Sequence, residues 1–295
     1  MMKKLSVFSL LLLLSFSSLF PQSNKNSSSL LIRCDDIGMS HAVNMAAAEM
    51  IKSGIPFSAS VMFVCPWYQE AADLLKPHPE ISVGVHLTLN AEWKYFRWGP
   101  VSGKDAVPSL VDSCGFFTPS RAKFYANNPK IEEIEKELRA QIERGIQSGL
   151  KISYVDYHMG TAVDKPEYRE IVEKLAHEYH LGISRYFGEE DIKSMYSHPV
   201  ESKLDSLLVT LKTLQPDKTA LLVCHIGMDQ PELQAMTDLN SFGLQYMSRH
   251  RQSELNSLLS PGLSEFISKN NIRLITYSTL VSETGLQNMK RPAVN

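Results

Sequence analysis

The residues of this chain that could bind a metal or transfer protons fall at or near the carboxyl ends of predicted strands. They are Asp35, Asp36, His86, Asp156, His158, Arg185 and His225. In β/α barrels, active sites are built at this end of the strands. Two imidazoles and one carboxylate are a usual ligand set for a divalent ion in a hydrolase, because they leave coordination positions for water and substrate. The pattern therefore predicts metal-dependent hydrolysis, with the remaining groups available for proton transfer.

Each of these residues, taken alone, also has a structural explanation. An aspartate pair after a strand commonly caps a helix or forms a turn, and a histidine in an apolar run is often a hydrogen-bonded core residue. Alternation along the strand places His86 on one face with Gly84 and Thr88. The same period of two puts Asp156 beside His158, so that His158 could be a metal ligand and Asp156 the carboxylate that orients it. Because four such groups coincide at strand ends, the functional interpretation is favoured.

Two other features are candidates for substrate contact. Residues 90–128 interrupt the regular pattern with aromatic residues among glycine and proline, which is typical of a long functional loop or lid. Trp93 and Trp98 lie in this insertion, where they would either line a binding site or close a small core over the barrel. His41 is near the start of the first helix and close in sequence to Asp36, and Asp156 is a further candidate for substrate contact. The other histidines, in loops or on polar helix faces, are predicted to lie outside the site.

The predicted elements define the fold class. Short apolar runs alternate with segments of helical period, as in parallel βαβ units. The predicted strands cover residues 30–34, 57–64, 81–89, 152–157, 183–186, 220–224 and 272–276. Helices are predicted between Ser40 as cap and Gly54 as stop, and over residues 66–76, 128–146, 166–180, 200–214, 244–259 and 261–270. In the helix over residues 128–146, Asn128 is the predicted cap, and the predicted buried face runs from Ile131 to Ile146. The sequence therefore predicts a single α/β domain over residues 30–295, a TIM-like (β/α) barrel that is irregular in having seven strands.

Composition and charge exclude several classes of partner. The chain is 43% hydrophobic and 21% charged, as in an ordinary globular protein. Its formal net charge of −2 provides no basic field to gather nucleic acid or anionic lipid, so a neutral substrate is favoured. The four cysteines lack C-x-x-C spacing, which argues against a zinc knuckle or redox pair. Cys34 and Cys224, inside apolar runs, are predicted to be buried as small hydrophobes, and any disulfide pairing is left open.

Residues 1–23 have the three-part pattern of an export signal. Two lysines precede an apolar run over residues 5–14, which is short of the roughly 20 residues that a membrane span needs. A retained anchor is the alternative, but no stable membrane anchor is expected. We predict cleavage between residues 20 and 26, a disordered lead-in over residues 24–29, and export to the periplasm or the extracellular space.

The motifs together resemble the YdjC-like carbohydrate deacetylases, a family that includes chitooligosaccharide deacetylases and is related to the polysaccharide deacetylases. Residues 34–40 with Asn44 resemble the family's opening Asp-Asp-Phe-Gly segment, and residues 84–89 match its second motif. Residues 156–158 resemble the third motif and residues 224–227 the last. The four motifs occur in the family's order and spacing, and the likeness spans nearly all of the chain after the export signal.

The resemblance implies one divalent metal ion held by Asp36, His86 and His158. A mixed site of imidazole and carboxylate accepts several ions, and zinc and magnesium are the first candidates. The implied reaction removes the N-acetyl group from an acetylated amino sugar or chitooligosaccharide and gives acetate and a free amine. Trp93 and Trp98 would then stack on sugar faces.

The resemblance also implies roles in proton transfer. Asp35 would act as the general base on the attacking water, and His225 as the general acid on the departing amine. Arg185 looks like the family arginine that positions the base. Gly160 and Ile226 stand where many members have histidine and proline, and these departures affect the expected substrate pocket without removing a proposed ligand. A homodimer is expected on the same grounds.

Two other interpretations stay open at this level. The same ligands would serve another metal-dependent amidase, a deformylase or a phosphodiesterase. A non-catalytic carbohydrate-binding protein, built on a barrel that has lost its activity, would bind sugar without turnover. The intact Asp35 and His225 argue against this second alternative.

Overall fold

Strands and helices alternate along most of the folded chain. The computed structural model describes residues 27–293, so the export signal predicted at residues 1–23 lies outside the described residues. The strands are β1 (Ser29–Ile37), β2 (Ser58–Val61), β3 (Ser82–Leu87), β4 (Ile152–Tyr157), β5 (Gly182–Ile183), β6 (Glu190–Asp191), β7 (Thr219–Cys224) and β8 (Arg273–Ile275). The helices are α1 (His41–Ser53), α2 (Tyr68–Leu75), α3 (Arg121–Ala126), α4 (Ile131–Gln147), α5 (Pro166–Glu178), α6 (Lys203–Leu211), α7 (Pro231–Gln234), α8 (Met247–Leu258), α9 (Pro261–Lys269) and α10 (Tyr277–Thr284). In this part of the chain, no helix has the length and apolar character needed to cross a bilayer.

The α/β barrel architecture predicted from the sequence is confirmed. Every strand pairing in the sheet is parallel, and the order is β5-β4-β3-β2-β1-β7-β6, with β8 against the first half of β1. The sheet curls into an open barrel, and its edge strands β5 and β6 do not pair with each other within residues 27–293. All seven predicted strands are present, and the two-residue β6 adds a short eighth strand beside β7.

The folded part begins earlier than the sequence indicates. Ser29, predicted to belong to the disordered lead-in at residues 24–29, is already paired in β1 with Thr219. The Ser28 hydroxyl donates to the carbonyl of Gln215 at 3.0 Å. This boundary is corrected by at least two residues, because pairing with a neighbouring strand orders a serine-rich segment whose composition alone suggests disorder.

Alternation along β1 divides its side chains between two cores. Leu30, Ile32 and Cys34 belong to the large core between sheet and helices, whereas Leu31 belongs to a small cluster inside the barrel. The inner cluster consists of Leu31, Tyr154, Leu221, Ile275, Tyr277 and Leu280. Tyr154 fits there because position 84 is glycine, where a Cβ would lie 2.4 Å from the tyrosine ring. The inner cluster fills the barrel below the carboxyl ends of the strands and leaves the polar residues above it.

Helix α1 begins and ends where the sequence indicates. The Ser40 hydroxyl accepts a hydrogen bond from the first turn, and Gly54 ends the helix with a left-handed φ of 71°. Asn44, buried on this helix, accepts a hydrogen bond from the N–H of Gly38 at 2.8 Å. Because this bond joins α1 to the turn that follows β1, the helix fixes the backbone that carries the two aspartates.

Helix α4 departs from its prediction at both ends. A cap at Asn128 is predicted, but the helix begins at Ile131, and Asn128 has a left-handed φ of 49° in the preceding turn. Ile131 and Ile146, predicted to be buried, are 42% and 44% exposed. The buried face of the helix includes the polar residue Glu137. Its carboxylate accepts hydrogen bonds from the N–H groups of residues 101–102 at 2.9 Å each, which satisfies it in the interior. Helix α4 therefore holds the insertion through polar contacts that periodicity does not reveal.

The insertion is an ordered cap on the barrel. It contains α3, a 3₁₀ turn at Pro108–Leu110 and a bridge between Val111 and Phe117. Phe117 and Trp98 are buried in the large core, whereas Tyr95 is 73% exposed. Of the two explanations for the aromatic residues, core formation therefore applies to most of them.

The four cysteines are free thiols. Cys34 and Cys224 are neighbours in the β1–β7 pairing and are fully buried, which confirms their predicted role as small core residues. Burial raises the pKa of both thiols, so they remain protonated and serve packing.

Candidate active site at the carboxyl ends of the strands

Two consecutive aspartates face the same interior because the strand is irregular between them. Alternation alone would send Asp35 and Asp36 to opposite faces of the sheet. Asp36, however, has a left-handed φ of 64°, and the β1–β2 register shifts between Cys34 and Ile37. Non-glycine residues rarely adopt this conformation, and such strain is concentrated at functional sites. Both carboxylates therefore line one cavity at the mouth of the barrel.

Asp36, His86 and His158 form a compact triangle of ligand atoms on this cavity. Oδ1 of Asp36 lies 3.4 Å from Nε2 of His86 and 3.3 Å from Nδ1 of His158. The two imidazole nitrogens are 3.3 Å apart. Three ligands of a tetrahedral ion at about 2.0–2.1 Å would be separated by about 3.3–3.4 Å. The structure thus brings the three predicted ligands together at a spacing that fits a divalent ion.

A second carboxylate faces each imidazole. Nδ1 of His86 lies 3.0 Å from Asp156 Oδ1, and Nε2 of His158 lies 3.0 Å from Glu92 Oε2. These contacts fix the ring orientations and leave the opposite nitrogen of each ring available to a metal. Oδ1 of Asp36, which faces those nitrogens, is buried without a hydrogen-bond partner in the described chain. The oriented rings and the unpartnered oxygen both fit a bound divalent ion.

The structure corrects two expectations about Asp156. Its side chain is fully buried behind His86 and does not line the cavity, so the predicted substrate contact is wrong. It also orients His86, its register partner on β3, and not its sequence neighbour His158. The register of two parallel strands decides this pairing. Glu92, which orients His158, was missed because it lies in the insertion outside any strand pattern.

The cluster carries more negative than positive charge. Apart from the imidazoles, its charged groups are Asp35, Asp36, Glu92, Asp156, Arg33 and Arg251, all buried. Four carboxylates against two guanidinium groups leave an excess of two negative charges. Buried charge must be compensated, and either one divalent cation or two imidazolium protons would do so.

The carboxylates shift the pKa of both imidazoles in the metal-free protein. Burial by itself lowers the pKa of His86, but Asp156 and Asp35 outweigh it and raise that pKa to about 10. Burial is likewise outweighed at His158, where Glu92 contributes most to raising the pKa to about 9. With these raised pKa values, both rings would hold protons at neutral pH unless a bound cation displaces them.

Metal binding is expected to release protons. Both pKa values are raised, so at pH 7 a divalent ion must displace about two protons, and its apparent affinity should rise with pH until about pH 9–10. Calorimetric titration with zinc at pH 7, in two buffers of different ionisation enthalpy, measures the number released. A binding heat that is the same in both buffers would contradict the proton–metal exchange.

Asp35 is held by Arg33, which faces the same side of β1. Nε and Nη2 of Arg33 donate to the two carboxylate oxygens of Asp35 at 2.7 Å each. Nη1 donates to the hydroxyl of Ser184 at 2.7 Å, and Nε lies 2.9 Å from Oδ2 of Asp156. A bidentate guanidinium–carboxylate pair fixes both partners in one plane. Arg33, only 2% exposed, therefore positions the candidate base.

Arg185 does not have the role predicted for it. Its Nε and Nη2 donate to the carboxylate of Asp191 at 2.5 and 2.7 Å. This ion pair connects the segment that follows β5 to strand β6. The side chain of Arg185 lines a different cleft, with Tyr157 and Tyr186. Arg185 follows the end of β5 with a left-handed φ of 73°, and this backbone turn carries it away from the candidate base. The positioning role assigned to Arg185 is corrected to Arg33.

Exchanging each arginine for lysine distinguishes the two assignments. Arg33→Lys keeps the charge but loses the planar fork, and is expected to lower hydrolytic turnover by about 10- to 100-fold through misplacement of Asp35. Arg185→Lys, the matched control at the barrel edge, is expected to retain turnover within about twofold. Steady-state kinetics on metal-loaded protein measure both. A loss confined to Arg185→Lys would restore the original assignment.

A second group of possible ligands lies beside the first. Ligand atoms of Asp35, His86 and Asp156 are close enough together to hold an ion. However, Nε of Arg33 already lies 2.7 Å from Asp35 and 2.9 Å from Asp156. Because a guanidinium between two carboxylates neutralises them and repels a cation, the group that contains Asp36 is the candidate metal centre.

Arg251, from α8, completes the surroundings of Asp36. Its Nη2 donates to Oδ2 at 2.6 Å and leaves Oδ1 for a metal. Burial alone would raise the pKa of Asp36, but Arg251 and then the two imidazoles outweigh it and hold that pKa well below its usual range. The carboxylate stays ionised, as a metal ligand must. Sequence reasoning missed Arg251, which is 215 residues from its partner along the chain.

His225 is brought to the same site as Asp35. Each residue directly follows a member of the Cys34–Cys224 register pair, so Asp35 in β1 and His225 just after β7 are neighbours, and both line the cavity. The His225 ring packs against Tyr196, with centroids 5.4 Å apart and planes at 65°. Its Nδ1 is buried without a hydrogen-bond partner in residues 27–293. The residues predicted as acid and base therefore lie beside each other on β1 and after β7, on the cavity that Asp36, His86 and His158 also line.

The cavity has a volume of about 880 Å³. Its lining distinguishes among the remaining residues predicted to contact substrate, which are Trp93, Trp98 and His41. Trp93 lines the cavity but is only 2% exposed, so substrate contact by Trp93 stays a prediction. Trp98 does not line it, because its indole N–H donates to the carbonyl of Asn90 at 2.7 Å within the core. His41 also lies outside, where its Nδ1 is 2.8 Å from Glu70. The predictions of substrate contact for Trp98 and His41 are corrected accordingly.

Fold and site together define a class of protein: a parallel (β/α) barrel with a carboxylate–imidazole cluster at the carboxyl ends of its strands. Residues 29–269 match the family model described as YdjC-like protein. The chain belongs to the YdjC-like family, and the resemblance drawn from its motifs is confirmed.

Relatives of the whole domain carry a common name. The carbohydrate deacetylase of Brevibacillus brevis is 31% identical over 268 residues, which cover 85% of this chain and 99% of that protein. The carbohydrate deacetylase of Geobacillus stearothermophilus is 28% identical over 260 residues, which cover 84% of this chain and 96% of that protein. A crystal structure from Enterococcus faecalis V583, of a protein named for cellobiose-phosphate cleavage, superposes with a TM-score of 0.71 at 24% identity and covers 86% of this chain and 99% of that chain. This last likeness shows the fold.

Proposed function

We propose that this protein is a metal-dependent carbohydrate deacetylase that hydrolyses the N-acetyl group of an acetylated amino sugar or chitooligosaccharide. One observation carries the proposal: Asp35, held by Arg33 in β1, and His225, just after β7, line one cavity with the Asp36–His86–His158 triangle. The names of the relatives support the carbohydrate as substrate class. The N-acetyl group and the bound metal are what the resemblance of the motifs to the family implies, and the side chains of the site are able to carry out that hydrolysis.

Asp35 is suited to accept a proton from the attacking water. Arg33 occupies one direction at each of its oxygens, but an ionised carboxylate has about four acceptor directions, so others remain for water. A divalent ion held by Asp36, His86 and His158 would polarise the acetyl carbonyl and acidify the attacking water. Asp35 takes up the proton as the water oxygen forms its bond to the carbonyl carbon.

His225 completes the proton balance. As an imidazolium it donates a proton to the amide nitrogen while the bond between carbon and nitrogen breaks, so the sugar leaves as a neutral amine. The acetyl group leaves as acetic acid, which passes its remaining proton to the amine or to water and becomes acetate, and the proton held by Asp35 returns to His225 or to water. The positive ring also stabilises the oxygen anion that develops on the carbonyl.

The ligand set favours zinc over magnesium. Two of the three ligand atoms are imidazole nitrogens, which suit zinc, whereas magnesium prefers an octahedron of oxygen atoms. The separations of 3.3–3.4 Å among the three atoms also support tetrahedral coordination. We therefore propose zinc as the ion that supports the highest activity.

The cavity wall supports a sugar ring as the substrate. Phe242, which is 68% exposed, lines the cavity and offers an aromatic face, whereas Trp93 lines it with only 2% of its surface exposed. Aromatic faces of this kind pack against the apolar faces of sugar rings, while the surrounding polar groups meet their hydroxyls. Asp238 and Asn240 are such groups on the same wall.

An acetate-release assay tests the proposal. Protein loaded with zinc, magnesium, manganese or nickel is incubated with N-acetylglucosamine and its oligomers, and acetate and free amine are measured together. Equal amounts of both products are expected, with chelator-treated protein as the control. Cleavage of another amide or a phosphodiester without acetate release would favour the alternative hydrolase, and sugar binding without turnover would favour a non-catalytic barrel.

We also propose that the protein works outside the cytoplasm. The support is the basic start and apolar run within residues 1–23. Cell fractionation and amino-terminal sequencing of the mature protein test this, with a new terminus expected between residues 20 and 26. Recovery of the full-length chain in the cytoplasm would contradict export. The expected homodimer stays a prediction.

A further inference from the structure

A buried ion pair joins α6 to α8. The side chains of Lys203 and Glu254 are 0% and 1% exposed, and Nζ lies 3.4 Å from Oε1. A buried pair of this kind is costly to desolvate and often contributes no more stability than well-packed apolar side chains. Its presence close to the cavity indicates a role other than stabilisation.

Glu254 connects this pair to His225. Its second oxygen, Oε2, accepts a hydrogen bond from the backbone N–H of His225 at 2.7 Å. A hydrogen bond from a peptide N–H to a carboxylate is short and strong. One carboxylate therefore links the residue at the end of β7 to the ammonium group of Lys203.

Lys203 extends the network to the residue that packs on the imidazole. Its Nζ donates to the carbonyls of Met195 at 2.6 Å and Tyr196 at 3.0 Å. The Tyr196 ring then packs edge-on against the His225 ring. The same ammonium group thus fixes the backbone from which Tyr196 reaches the candidate acid.

The His225 ring has little else to orient it. Its Nδ1 is buried without a hydrogen-bond partner in the described part of the chain, whereas Nδ1 of His86 faces Asp156 at 3.0 Å. A general acid must lie within hydrogen-bond reach of the atom that it protonates. The orientation of His225 therefore depends on its backbone, held by Glu254, and on its contact with Tyr196.

We propose that Lys203 and Glu254 are positioning residues for His225. The proposal rests on the proposed function, in which His225 protonates the departing amine. Neither residue lines the cavity, so neither contacts the substrate. Glu254 fixes the backbone of His225 and Lys203 fixes its packing partner, so losing the pair impairs the proton-dependent step and leaves metal and substrate binding intact.

Glu254→Gln is the discriminating variant. Glutamine has one acceptor oxygen where glutamate has two, so it cannot serve both the His225 N–H and Lys203. In zinc-loaded protein, kcat for acetate release from an N-acetylated sugar is expected to fall about 10- to 100-fold with little change in KM. Hydrolysis of 4-nitrophenyl acetate, whose leaving group needs no proton, is expected to fall by less than about threefold. Equal losses on both substrates, or no loss on either, would overturn the proposal.

Leu258→Ala is the matched control. Leu258 lies one turn further along α8 and is fully buried, so its truncation destabilises the same helix without touching the network. Amide and ester hydrolysis are expected to change in parallel. A selective loss of amide hydrolysis in this control would overturn the positioning role, because it would trace the effect to general destabilisation.

Two further measurements keep the test decisive. If Glu254→Gln does not fold, the double variant Lys203→Met with Glu254→Gln removes both buried charges together, and the same selective loss is expected.

The amide proton of His225, observed by NMR in protein with ¹⁵N-labelled histidine, is expected to exchange faster in the variant while that of His158 stays unchanged. An unchanged His225 signal overturns the positioning role. Absence of acetate release by the wild-type protein would instead overturn the proposed function, which separates the two failures.

Discussion

Asp35→Asn is expected to lower acetate release by about 10²- to 10⁴-fold while the protein keeps its metal. The carboxamide has nearly the same shape as the carboxylate but cannot accept the proton of the attacking water. Its NH₂ group would also face one N–H of Arg33, where Oδ1 and Oδ2 now accept at 2.7 Å each. Steady-state kinetics on an N-acetylated sugar measure the loss, and elemental analysis measures the metal content.

Asp191→Asn is the matched control for this variant. Asp191 forms a similar bidentate pair with Arg185, but on a different cleft. Because that pair is partly exposed and does not line the cavity, its loss is expected to change turnover by less than about twofold. Unimpaired turnover in Asp35→Asn would sink the assignment of Asp35 as base. Loss of its metal would instead show that Asp35 belongs to the metal centre.

His86→Ala and His158→Ala are each expected to remove most of the bound divalent ion, and activity with it. Each substitution deletes one of three ligand atoms that lie 3.3–3.4 Å from one another. It also leaves an orienting carboxylate, Asp156 or Glu92, without its imidazole partner. Equilibrium dialysis against limiting zinc, followed by elemental analysis, measures occupancy, and circular dichroism checks that the barrel remains folded.

His41→Ala serves as the control for the ligand variants. Its ring is partly exposed, pairs with Glu70 and lies outside the cavity, so metal content and turnover are expected to stay at the wild-type level. Full metal occupancy in both ligand variants would mean that the ion binds elsewhere. Loss of the ion in His41→Ala as well would point to a general effect on folding.

Several of the sequence-level predictions held because they follow from local rules. The period of two along β3 and β4 put His86 and His158 on the inner face. The apolar runs located all seven predicted strands. Parallel strands end on the same side of a barrel, so residues at those ends had to meet. Strand placement thus predicted that these groups meet at one end of the barrel, and the resemblance to the YdjC-like family assigned their individual roles as ligands, acid and base.

Arg33 was missed although the sequence contains a signal for it. It stands in the run Leu30-Leu31-Ile32-Arg33-Cys34, where a charged residue in a buried strand needs a charged partner. The same period of two that selects Asp35 as inward-facing also selects Arg33. Its bidentate pairing with Asp35 was therefore within reach of sequence reasoning, whereas Arg185 was chosen by motif resemblance.

Glu92, Arg251 and Glu254 had no such signal. They lie on the insertion and on α8, where charged residues are ordinarily exposed. Their burial depends on how those elements dock against the barrel. Contacts such as that between Arg251 and Asp36 join residues 215 positions apart. No local pattern encodes such a pairing, because it forms only when distant elements pack together.

The sequence by itself determined the seven principal strands and the inner face that carries His86 and His158, and its motifs indicated the candidate metal ligands. Only the tertiary structure decided how these groups act together. Alternation predicts opposite faces for Asp35 and Asp36, and the left-handed backbone at Asp36 with the shifted register of β1 brings both into one cavity. The register between β3 and β4 places Asp156 against His86. The docking of α8 brings Arg251 into contact with Asp36 and Glu254 into contact with the backbone of His225. Side-chain direction is a local property of the backbone, whereas the partner of a buried charge is set by the packing that removes it from water.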